Sequence, residues 1–222
     1  MLTKILVAIN VIVYLFERFV WGLDPNSLLA HGGLFGPVTQ PDEWLRIITS
    51  AFLHGSDMHI LFNMIALLQV GSFVEAIYGT PRMAVIYTLA MFGGGLAVSY
   101  FTPDVVTIGA SGAIFGLFGA LAVAGFRLGE RGKSIMQQTT GIIVINLAIS
   151  FWPGSNISVA DHIGGLIIGT LCGLILFRMP RQRVAVQQPE GAGYAQRIGP
   201  DPSATTIEGE TIEHPSEHTP HP

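Results

Sequence analysis

The chain has 222 residues, half of them hydrophobic and only 12% charged, whereas a soluble domain carries about twice that charged share. With a mean hydropathy of +0.52, the bilayer is the expected solvent. The formal net charge of −4 says little about partners, because most acidic residues stand in the C-terminal tail and the N-terminal loops; the basic residues are few and scattered, which excludes a nucleic-acid surface.

Six apolar segments in chain order predict an all-α membrane protein with six transmembrane helices: Lys4–Trp21, Met58–Tyr78, Met83–Phe101, Thr107–Phe126, Thr139–Trp152 and Ser158–Phe177. The first resembles a signal peptide in its apolar core. It lacks a small-residue cleavage site and is followed by further spans, so it reads as a retained helix. The fifth is short for a span. Between the first two lies Gly22–Gly55, where Trp44, Leu45, Ile47, Ile48, Phe52 and Leu53 predict short helices at the membrane interface. Cys172, the single cysteine, stands in an apolar run; it excludes an intramolecular disulfide and reads as a small filler. Residues 1–179 form the expected membrane domain. Residues 180–222, rich in Pro, Gly, Gln, Thr and Glu, read as a disordered tail.

Lysine and arginine orient the spans. With the N-terminus inside, Lys4, Arg82, Arg127, Arg131, Lys133, Arg178, Arg181, Arg183 and Arg197 fall on the cytoplasmic side, and only Arg18 and Arg46 on the other. Both termini are then cytoplasmic. The starts of the fourth and sixth spans lie outside, at the depth of Ser111 and His162.

Polar groups inside apolar spans are expensive and are functional candidates: His59, Asn63, Glu75, Ser111 and His162, with His54 just before the second span. Ser111 lies in Gly109-Ala110-Ser111-Gly112, at a helix entry whose glycines allow close backbone approach and free N–H groups. The same glycines, continued by Gly116 and Gly119, also suit helix packing. His162 is followed by Gly165 and Gly169, a small-xxx-small face that predicts packing against the fourth helix. Its imidazole can then act as general base toward Ser111. A lone histidine in a span also suits a proton relay or a satisfied core group. Asp161 neighbours His162, but adjacent helix positions diverge by about 100°, so it is expected to cap the sixth helix rather than orient the base.

His59 and Asn63, four apart on one helical face, can offer donors to an oxyanion. His54, His59 and His162 are three possible zinc ligands, without the His-Glu-x-x-His pair or a carboxylate at their depth. Glu75, at the far end of the second helix from Ser111, reads as a structural hydrogen-bonding group. A proton-coupled transporter using His162 and Glu75 would need an internal repeat, and none is visible.

Together, Glu43-Trp44-Leu45-Arg46, His54 with His59-x-x-x-Asn63, Glu75, Gly109-Ala110-Ser111-Gly112 and His162-Ile163-Gly164-Gly165-x-x-x-Gly169 resemble the rhomboid family of intramembrane serine proteases. The resemblance implies a six-helix core with a water-filled cavity open to the outside, no metal and no cofactor. It implies Ser111 as nucleophile, His162 as base, and His59, Asn63 and the Ser111 amide as oxyanion donors. Arg46 and Glu75 take structural places. Phe115 stands where many relatives carry a tyrosine and keeps a ring to stack on His162. The expected partners are the lipid bilayer and transmembrane protein substrates, cut near their outer ends; the expected location is a bacterial plasma membrane. The loop Gly22–Gly55 and the linker Trp152–Ser158 are candidate gates.

Overall fold

The computed structural model describes residues 1–152, 155 and 157–179; the regular structure among them is helical, apart from one antiparallel bridge between Leu34 and Thr107. The predicted tail, and Pro153, Gly154 and Asn156 of the linker, lie outside the described residues. Helix α1, Leu2–Phe16, continues into a wider turn, Glu17–Trp21, which Gly22 ends at a φ of +99°. Two short helices follow in the first loop, as expected. In α2, Pro25–Ala30, the Asp24 carboxylate accepts the N–H groups of Asn26 and Ser27 at 3.1 Å each. In α3, Pro41–Ser50, Gln40 and Glu43 form a capping box.

Helix α4, Asp57–Ala66, passes through a wide turn, Leu67–Gly71, into α5, Ser72–Tyr78. Gly79 then reverses the chain into α6, Thr80–Phe101. Helix α7 spans Ser111–Arg127; a single 3-10 turn, Gly129–Gly132, leads to α8, Lys133–Ser150, and α9 spans Val159–Leu176. By length and composition, three described stretches suffice to cross a membrane: Asp57–Tyr78, α6 and α9. Helix α7 is apolar but shorter, and the helical run Leu2–Trp21 carries Lys4, Glu17 and Arg18. Phe19, Phe101 and Ile175 are each more than two-thirds exposed, a surface suited to lipid rather than water.

Two expected helix starts move by a turn or more. The fourth helix starts at Ser111, not Thr107, because Thr107 exchanges two backbone hydrogen bonds with Leu34 and the Gly109 N–H donates to Ser50 O at 2.8 Å. The fifth starts at Lys133, six residues before the expected Thr139, which gives it a longer reach along its axis.

Helix α7 is the hub, buried along most of its length. It meets α9 through glycine, as the small-residue faces predict. A Cβ on Gly165 would enter the Gly112 backbone, one on Gly169 the Gly116 backbone, and one on Gly116 the Ala90 methyl of α6. Missing side chains let the three backbones approach closely, and dispersion contacts replace the hydrophobic drive that lipid cannot supply.

Candidate active site

The turn before α7 sets the position of Ser111. Gly109 has a φ of +117°, a conformation side-chain-bearing residues rarely adopt. A Cβ there would stand 2.7 Å from His59 Nε2 and 3.8 Å from Ser111 Oγ. Gly109 therefore brings His59 of α4 and Ser111 of α7 to the same spot. Ser111 is the first residue of α7, so its N–H has no partner within the helix. On α4, Ser56 Oγ caps the His59 N–H at 3.2 Å. The buried Asn63 donates from Nδ2 to His59 O at 2.9 Å, which leaves the second amide hydrogen available.

His162, buried in the first turn of α9, stacks on Phe115 with ring centres 4.0 Å apart and planes 17° from parallel. The retained ring of Phe115 thus meets His162 as expected. His162 Nδ1 lies 2.9 Å from Ser150 Oγ, at the end of α8. The close approach of Gly112 and Gly165 brings the helices carrying Ser111 and His162 together. In this conformation Ser111 Oγ donates to Asp161 Oδ2 at 3.0 Å, and no hydrogen bond among the described residues joins it to His162.

The reading of Asp161 as a helix cap is corrected. Ser158 is the N-cap of α9, and its Oγ accepts the Asp161 N–H at 3.2 Å. The Asp161 carboxylate turns instead into the space left by Gly94 and Gly112, where any Cβ would collide with it. Facing Ser111, it does not act as the acid behind His162, in keeping with the angular argument. A small pocket adjoins it, lined in part by Ser50, Met91, Gly95, Gly109 and Asp161.

A second polar layer lies beneath. His54 is fully buried, its ring 4.9 Å from that of His59 in an edge contact. Its Nδ1 faces Phe52 O at 3.2 Å, so that nitrogen carries the hydrogen and Nε2 is a buried acceptor with no hydrogen-bond partner among the described residues. Burial, and secondarily the nearby His59, push its pKa down to about 3, so the ring is neutral. Both Glu17 oxygens accept the His54 N–H, at 3.0 and 3.1 Å. Glu17 was not singled out from sequence; a carboxylate at the end of an apolar run was the available signal.

Arg46 and Glu75 stand away from Ser111 and His162 and act as staples. Arg46 Nη1 donates to the carbonyls of Leu29 and Gly33 at 2.8 Å each, closing the first loop. Glu75 accepts the N–H groups of Leu2 and Thr3 at 2.8 and 3.1 Å and the Thr80 hydroxyl at 2.8 Å. It ties the start of α1 to the α5–α6 turn. Among the described residues, no three His, Cys, Asp or Glu side chains converge to hold a metal ion.

An apolar helical bundle with buried histidines and a carboxylate facing a helix-initial serine defines a class, the polytopic membrane proteins with polar interior sites. The family model for the Rhomboid domain matches residues 41–179. The chain belongs to the rhomboid family, and it is an integral membrane protein. It is 35% identical over 173 residues to Rhomboid protease GluP of Bacillus subtilis, covering 75% of this chain and 33% of that one. It is 31% identical to RHOMBOID-like protein 5 of Arabidopsis thaliana, covering 74% and 54%. Rhomboid-type serine protease 2 of Emericella nidulans is 28% identical, covering 79% and 37%. The chain thus spans roughly a third to a half of these relatives' lengths.

Proposed function

We propose that this protein is an intramembrane serine endopeptidase that cleaves transmembrane segments near their outer ends with a Ser111–His162 dyad. The observation that carries this reading is that the Gly109 turn sets Ser111 beside His59 while the Gly112–Gly165 contact packs the helices carrying Ser111 and His162 against each other. Relatives named as rhomboid and serine proteases support it. In this reading the chain crosses the membrane six times with both termini cytoplasmic, the site lies near the outer face, and the membrane is a bacterial plasma membrane.

A hydroxyl holds one hydrogen, so Ser111 cannot donate to Asp161 and His162 at once. In the reactive conformer the hydroxyl turns from Asp161 to His162 Nε2. Ser111 Oγ attacks the scissile carbonyl carbon while His162 takes the proton. The oxyanion receives the Ser111 N–H, a His59 ring N–H and the Asn63 amide. The tetrahedral intermediate collapses as His162 passes its proton to the leaving amine. Water then attacks the acyl-enzyme, deprotonated by the same imidazole. The small pocket lined by Ser50, Gly109 and Asp161 offers a polar place for that water. A substrate helix must unwind first, since its carbonyls are otherwise engaged in its own hydrogen bonds; small or helix-breaking residues are expected at the cut. No cofactor takes part in this reading. The test is cleavage of a reporter transmembrane substrate in detergent. Wild type cleaves, and Ser111→Ala and His162→Ala lose at least about 10³-fold; cleavage by either variant at the wild-type rate refutes the dyad.

A further inference from the structure

Ser150 ends α8 and is buried, 4% exposed, with its hydroxyl between two groups. Its Oγ lies 2.7 Å from the carbonyl of Asn146, one turn earlier, and 2.9 Å from His162 Nδ1. A carbonyl oxygen can only accept. The hydrogen in the shorter contact must therefore come from Ser150, the back-bond that serine makes readily at this spacing in a helix. Its only hydrogen spent, Ser150 Oγ can offer His162 nothing but a lone pair. The hydrogen between them must sit on Nδ1.

We propose that Ser150 is the positioning residue for His162: it holds the imidazole as the Nδ1–H tautomer and leaves Nε2 bare for the Ser111 proton. This rests on the dyad reading above and deepens it. A general base needs a defined tautomer and a fixed ring plane. Phe115 fixes the plane by stacking, and Ser150 fixes the tautomer. The same Nδ1–H bond persists when Nε2 gains its proton, so Ser150 accepts from the imidazolium as well as from the neutral ring. A neutral hydroxyl thus does the work a buried carboxylate does in a triad, without a second charge next to the Asp161 carboxylate. Asp161 cannot fill that place, because its carboxylate is turned to Ser111 and Gly112.

Two readouts on the full chain in detergent test this. Nitrogen NMR of ¹⁵N-histidine protein, with the His162 signals assigned by their loss in His162→Ala, is expected to give a protonated Nδ1 and a bare Nε2. In Ser150→Ala that single tautomer is lost. The reporter assay is expected to give about a tenfold lower kcat with unchanged KM, the worth of one neutral hydrogen bond. Ser150→Thr keeps the hydroxyl and restores both the tautomer and kcat to within about threefold. If Ser150→Ala does not fold, Ser150→Cys, a weaker acceptor of similar volume, takes its place. A wild-type proton on Nε2 would overturn the proposal, as would a Ser150→Ala chain with native tautomer and native kcat. A wild type that cleaves nothing and takes no label at Ser111 sinks the dyad instead, while the tautomer spectrum still decides the Ser150 bond.

Discussion

The α6–α7–α9 core and the first loop, residues 22–55, flank the same serine and are held by opposite means. The core is joined where side chains are missing: Gly112 against Gly165, Gly116 against Gly169 and Ala90. The loop is joined where polar groups reach across: Arg46 to two carbonyls, Glu17 to the His54 N–H, Leu34 to Thr107. In lipid a close backbone contact has few repair options, since a side chain placed there must push whole helices apart. A loop tied by several independent hydrogen bonds loses them one at a time. The core should therefore break abruptly and the loop by degrees.

The largest effect is expected in the core. Gly165→Leu drives a side chain into the Gly112 backbone and should cost about 3 kcal/mol or more. Thermal denaturation in detergent would register this, together with the loss of activity. At the seam between the regions, Gly109→Ala meets both a φ of +117° and the His59 ring. It should cost about 1–3 kcal/mol and cut kcat by roughly 100-fold, as a nucleophile displaced by about 1 Å does. The smallest effect on kcat belongs to the loop: Arg46→Ala should lower stability by about 2 kcal/mol through two lost charge-assisted bonds, yet reduce kcat less than Gly109→Ala does. Arg46→Lys should recover only part, since one ammonium does not reproduce the guanidinium geometry. Similar losses in all three variants would erase the distinction between core and loop.

The core was the more legible region, because its signal is local composition. Gly165 and Gly169 recur at helical spacing, and the resulting face finds α7 as predicted. The loop's short helices were also readable from Trp44, Leu45 and Ile47, of which Ile47 is buried and Leu45 exposed. What escaped depends on the partner's shape. The direction of Asp161 follows from the absence of side chains at Gly94 and Gly112, on two other helices. Ser150 gives no sequence signal of its own, as serine at a helix end is ordinary, and its meaning comes from His162 packing beside it. Glu17 resembled a charge ending a span until His54 closed over it. The start of α7 was misplaced because the apolar run Thr107–Ala110 hides an extended segment pinned by Leu34 and Ser50.

The most direct measurement is mass-spectrometric mapping of a fluorophosphonate adduct on the detergent-solubilised protein. The dyad predicts one adduct, on Ser111, absent from Ser111→Ala and slowed at least about 10³-fold in His162→Ala. An adduct on another residue, or His162→Ala labelled at the wild-type rate, would contradict it.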